Sequence, residues 1–175
     1  MQSKINIVLI SAILSAFPAS AASAGAIDGG TAPLASDVAV NGTITATGGS
    51  NTIVGSGATI AYTATPANGW SNTAVGSGAS INGANNSTLG ANASVTGSGN
   101  VTIGNQAVTG NGELSTGNVA IGMQSSAINN TNGTGAQGAT AIGYQANATG
   151  RNSVAIGSGA IAATDNSVSF GGDAL

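Results

Sequence analysis

The chain has 175 residues, of which 4% are charged, 3% are aromatic and 29 are Gly, with a formal net charge of −3. It has no Cys and no His, so disulfides, thiolate metal sites and the commonest general base are excluded, and no metal or cofactor is expected. Lys4 and Arg151 are its only cations, too few to build the basic face that nucleic-acid binding requires.

The first element is a processing segment. Lys4 supplies a positive start, Ile5 to Phe17 is an apolar run, and Pro18 ends it before a string of small residues. Residues 1–24 read as a helical secretory signal peptide, with Ala22-Ser23-Ala24 placing cleavage after Ala24. The apolar run is too short to span a bilayer, which takes about 20 residues. Nothing further along the chain is apolar enough to cross a membrane as a helix. The mature protein is therefore expected outside the cytoplasm. Residues 25–37 form a lead-in.

From residue 38 to 175 one motif recurs: a β-branched or small polar residue, a small or β-branched residue, an aliphatic or aromatic residue, Gly, two variable residues and a small residue. Its anchor glycines are Gly55, Gly76, Gly90, Gly104, Gly122, Gly143, Gly157 and Gly171. Asn41, in Val38-Ala39-Val40-Asn41, lies 14 residues before Gly55 and stands in for the first anchor, since Asn tolerates positive φ best after Gly. The base period is 14, lengthened by 7, 4 and 7 residues at three insertions. Low charge with abundant Val, Ile and Thr argues against disorder and for a solenoid.

Alternation within each repeat predicts two short strands and two turns per 14 residues, stacked in parallel. The fold expected is all-β, a parallel β-roll of about nine coils. At about 4.8 Å per coil it would be roughly 40–45 Å long. The residues three and one before each anchor are the larger ones and are expected to point inward. The residue between them, such as Ala74, Ala120, Ala141 or Ala155, is expected to face out and to permit close approach of neighbouring chains. The residues three and five after the anchor are expected to form a second inward row, with Gly83, Gly97 and Gly150 marking the other turn.

Asn152-Ser153-Val154-Ala155-Ile156-Gly157 and Asn166-Ser167-Val168-Ser169-Phe170-Gly171 closely resemble the head repeats of the YadA-like trimeric autotransporter adhesins. Asn118-Val119-Ala120-Ile121-Gly122 and Thr140-Ala141-Ile142-Gly143 do so too. The resemblance implies a left-handed roll that packs as a homotrimer. It implies a head at the cell surface or outer membrane, attached through a stalk and anchor. Such heads bind host matrix or cell-surface proteins, or mediate autoaggregation. The sequence ends at Leu175 without stalk heptads or anchor strands, and reads either as a fragment or as a naturally short, secreted homologue.

Specific recognition is expected on the insertions. The first holds Tyr62 and the sole Trp, Trp70; the second contains the sole Glu, Glu113; the third is the polar run Asn129 to Gly138. Aromatic residues on projecting loops are favoured contacts. Four Asp at unrelated phases do not make a calcium roll, which places one in every repeat. The scattered acids do not assemble the carboxylate pair of a polysaccharide-cleaving enzyme, so no enzymatic activity is expected. The alternative to an adhesin is a structural or ice-binding-like solenoid with no adhesive role. It would need a continuous outward file of Thr, and the middle positions read Ile53, Ala74, Thr88, Thr102, Ala120, Ala141, Ala155 and Ser169.

Overall fold

The computed structural model describes residues 26–27, 37–45, 50–61, 71–112, 114–128 and 137–172. The signal segment with its cleavage site at Ala24 lies outside these residues.

The described chain is all-β, a parallel solenoid of about eight turns with no helix. A short β1 (Ala26–Ile27) pairs in parallel with β2 (Val38–Ile44), and β2 pairs with the long β3 (Thr52–Ala61). Both halves of β3 then found a ladder. On its first half stack β4 (Thr73–Val75), β6 (Ser87–Leu89), β8 (Val101–Ile103), β10 (Val119–Ile121), β12 (Thr140–Ile142), β14 (Val154–Ile156) and β16 (Val168–Phe170). On its second half stack β5 (Ser80–Ala84), β7 (Ser94–Ser98), β9 (Val108–Thr109), β11 (Ser126–Ala127), β13 (Asn147–Ala148) and β15 (Ile161–Ala162). Every pairing is parallel, and the register follows the anchors: Ala120 sits beside Thr102 and Ala141, and Ala141 beside Ala155.

About nine coils were expected, and the described residues show about eight turns. Both strands are present in eight turns. The turn that begins with β16 has its second half outside the described segment. The insertions leave the ladders in register: Thr52 pairs with Thr73 across the first and Val119 with Thr140 across the third.

The anchor glycines turn the chain with φ between 104° and 150°, a region that side chains with a Cβ rarely enter. They also stack backbone on backbone: a Cβ on Gly122 would collide with the carbonyl oxygen of Gly143. Asn41 has the positive φ expected of a Gly substitute, but at 53° it lies in the ordinary left-handed region. The β2–β3 register jumps between Val40 and Gly42, so the first turn is tighter than the others. Gly83 and Gly97 lie inside β5 and β7, where their positive φ bends the strand.

One expectation is reversed. The middle residues of the first-ladder strands point inward, not out: Ala39, Ile53, Ala74, Thr102, Ala120, Ala141 and Ala155 are fully buried. Their larger neighbours face solvent, with Leu89 51% and Phe170 67% exposed. Alternation fixes which residues share a face, not which face is the interior. The interior here is the thin gap between two strands of one coil, where Thr102 Oγ1 meets Thr109 Oγ1 at 2.6 Å. Four inward residues per coil fill that gap, and small ones suffice. The second inward row is as expected: Ala58 and Ile60, Ala79 and Ile81, Ala146 and Ala148 are buried.

Candidate interaction surfaces

No sequence motif singled out the side-chain ladder that runs inside the roll. Four residues before each anchor stand Asp37, Asn51, Asn72, Asn86, Asn100 and Asn118, all buried. Each accepts, through Oδ1, the backbone N–H of the same position one coil on: Asn86 to Asn72 at 3.0 Å, Asn100 to Asn86 at 2.9 Å, Asn118 to Asn100 at 2.9 Å. The side-chain amides of Asn72 and Asn86 donate to the carbonyls of Gly83 and Gly97 at 3.0 and 2.8 Å. After the second insertion, the Ser115 carbonyl takes that place for Asn100 at 3.4 Å. A buried amide is costly unless bonded, and these are bonded at both ends. The ladder ends where Ala139 donates to Asn118. Beyond it, buried Ser153 donates from Oγ to the Gly150 carbonyl, and the exposed Ser167 to that of Thr164. The signal was present in the sequence as one Asn at one phase of successive repeats.

The two outer faces of the roll differ in chemistry. The first ladder presents two columns. One reads Val38, Thr52, Thr73, Ser87, Val101, Val119, Thr140, Val154 and Val168; the other reads Val40, Val54, Val75, Leu89, Ile103, Ile121, Ile142, Ile156 and Phe170. Every member of the second column is apolar, and all are at least partly exposed. A monomeric soluble protein rarely leaves a contiguous apolar stripe of this kind uncovered. The corresponding outer column of the second ladder reads Thr59, Ser80, Ser94, Val108, Ser126, Asn147 and Ile161, which is mostly polar. The residues weighed for an ice-binding face were the inward ones. The true outer columns hold no continuous file of Thr either.

The turn after each anchor forms a third surface. The two residues following Gly55, Gly76 and Gly157 are Ser-Gly, but after Gly104, Gly122 and Gly143 they are Asn105-Gln106, Met123-Gln124 and Tyr144-Gln145. The three Gln adopt φ of 56–58°, a conformation that the Ser-Gly turns assign to Gly. Holding a Gln there costs on the order of 1 kcal/mol. Their side chains bond in a row: Gln124 Nε2 donates to Gln106 Oε1 at 3.1 Å, and Gln145 Nε2 to Gln124 Oε1 at 3.0 Å. Met123 and Tyr144 are 48% and 45% exposed beside them.

The predicted recognition residues Tyr62 and Trp70 lie outside the described residues, as do Glu113 and most of the third insertion. Among the described residues no group of acidic side chains is placed to hold a metal ion. No helix among them is long and apolar enough to cross a membrane. A cavity of about 500 Å³ lies at the C-terminal end of the stack, between Ile161, Val168 and Phe170.

Comparison with known proteins adds one finding. Residues 135–160 and 148–174 match the YadA head domain repeat, in two copies. No curated protein and no solved structure matches the chain.

Proposed function

We propose, from the premise that this chain carries a YadA-like head domain, that it forms the exported, non-enzymatic head of a trimeric bacterial adhesin. The two matched repeats belong to a first ladder whose register runs unbroken back to Val38 and Val40. The observation that carries the trimer is the unbroken apolar column from Val40 to Phe170 on one outer face. Three rolls packed on those faces would bury it, leaving the polar second ladder outside. A roll whose own interior is largely Ala gains little by internal burial, at roughly 25 cal/mol per Å². Burial between chains supplies what stacking alone does not.

Contacts to host matrix or cell-surface proteins, or to a second head in autoaggregation, are assigned to the exposed turns and, on the sequence alone, to Tyr62 and Trp70 of the first insertion. Sedimentation equilibrium on the protein tests the assembly. A single species at three times the chain mass is expected, and a monodisperse monomer would overturn it. Adhesion is tested separately, by binding of the purified head to immobilised matrix proteins and to cells carrying it.

A further inference from the structure

We propose that the turn edge formed by Asn105-Gln106, Met123-Gln124 and Tyr144-Gln145 is a binding site for a neutral oligosaccharide. The proposal rests on the reading of this chain as a surface-interaction module, and names a ligand class for one surface of it. Four successive coils, from Gly90 to Gly143, abandon the Ser-Gly turn used at Gly55, Gly76 and Gly157; the first has Ala91-Asn92 and the last three hold Gln at the second position. These three accept Gln in a conformation better suited to Gly, and no interior contact requires it, since all six side chains are exposed. What the substitution creates is outward chemistry.

That chemistry is specific in kind. Within the row Gln106 accepts one bond, Gln145 donates one, and Gln124 does both. Each amide has two N–H groups and two lone pairs, so every rung keeps a donor and an acceptor for a ligand. Mutual bonding fixes the rotamers in advance, which lowers the ordering cost of binding. Tyr144 offers an exposed ring face with a hydroxyl at its end, suited to the C–H face of a sugar. None of the six residues is charged, so an anionic glycan would find no counter-charge. The rungs repeat at the coil spacing of about 4.8 Å, close to the advance per sugar along an extended chain. The edge is small: three rungs give a strip some 10–15 Å long and about two side chains wide, which covers far less than the roughly 800 Å² per partner of a stable protein interface. That size fits a few sugar rings.

The test uses the chain's own alternative. Replacing the three turns by the Ser-Gly found on neighbouring coils (Asn105→Ser, Gln106→Gly, Met123→Ser, Gln124→Gly, Tyr144→Ser, Gln145→Gly) keeps the fold and relieves the positive-φ strain. The wild-type protein is applied to an array of neutral and acidic oligosaccharides, and affinity for the best neutral ligand is measured for both forms. Unfolding midpoints and sedimentation are recorded on the same samples. Binding of a neutral oligosaccharide by the wild type, weakened about tenfold or more in the variant at equal or higher thermal stability, is the expected result. No neutral ligand, equal binding by the variant, or binding only of acidic glycans or proteins at this edge would overturn the proposal. An intact trimer alongside any of those outcomes would leave the assembly reading standing. A monomer that still binds the glycan through this edge would do the reverse.

Discussion

The N-terminal and C-terminal coils reach the same backbone with different interiors. In the lower coils the facing inward positions hold Ile53 with Ile60, Ala74 with Ile81 and Thr88 with Val95. In the upper coils they hold Ala120 with Ala127, Ala141 with Ala148 and Ala155 with Ala162. The amide ladder follows the same division. It runs from Asp37 to Asn118 and gives way to Ala139 and then Ser153. The lower coils thus combine aliphatic bulk with a continuous polar spine. The coils of Ala141 and Ala155, where the family repeats are matched, have neither, while the Ala120 coil keeps Asn118 as the last amide of the spine. Parallel stacking and the anchor turns are common to both. The backbone ladder therefore sets the fold, while the interior sets how much each coil contributes on its own.

The sharpest way to break this contrast is to exchange the interiors. Ile60→Ala should cost about 2–5 kcal/mol by opening a cavity between fully buried neighbours. Ala148→Ile should cost about 1–3 kcal/mol by overfilling a gap sized for Ala. Urea midpoints of the two variants check this. Tolerance of Ile at 148 would mean that the upper coils are loose and not merely narrow.

The polar spine comes next in size. Asn100→Ala strands the N–H and the side-chain amide of Asn118, both of which donate to Asn100 Oδ1 at 2.9 Å, and should cost about 1–3 kcal/mol. Ser153→Ala removes a single bond to the Gly150 carbonyl in the upper half and should cost about 1 kcal/mol. Equal losses would deny the lower coils a special dependence on amides. The smallest effect has the opposite sign. Thr88 is buried opposite Val95 in the lower coils, and its Oγ1 has no hydrogen-bond partner. Thr88→Val should raise stability by about 1 kcal/mol, read as a higher unfolding midpoint.

Much of the fold was legible because a solenoid writes its geometry as a period. Gly at one phase gave the turns, and the interval between anchors gave the strand register, confirmed at pairs such as Ala141 with Ala155. The row three and five residues after each anchor was legible because small and aliphatic residues alternate there with polar ones. The face of the first ladder was not. Ala141 and Ile142 both suit a core, and only the narrowness of the coil, a three-dimensional property, decides that Ala141 goes in. That inversion moves the proposed associating surface from the small residues to the aliphatic column. Asn41 has the positive φ its place in the period implied, and the tighter first turn lets an ordinary left-handed Asn do what glycine at φ beyond 100° does elsewhere. The Asn and Gln ladders were missed since each repeat contributes only one residue to each. Their meaning appears when the repeats are aligned by column.

The central claim is that the aliphatic column, and not the polar second ladder, joins the chains. Sedimentation equilibrium of two charge variants tests it most directly. Ile142→Lys places a charge in the middle of the aliphatic face, and Ser126→Lys places one in the polar face at a similar height. The account predicts that Ile142→Lys sediments as a folded monomer while Ser126→Lys remains a trimer. A trimer for Ile142→Lys, or a monomer for Ser126→Lys, would contradict it.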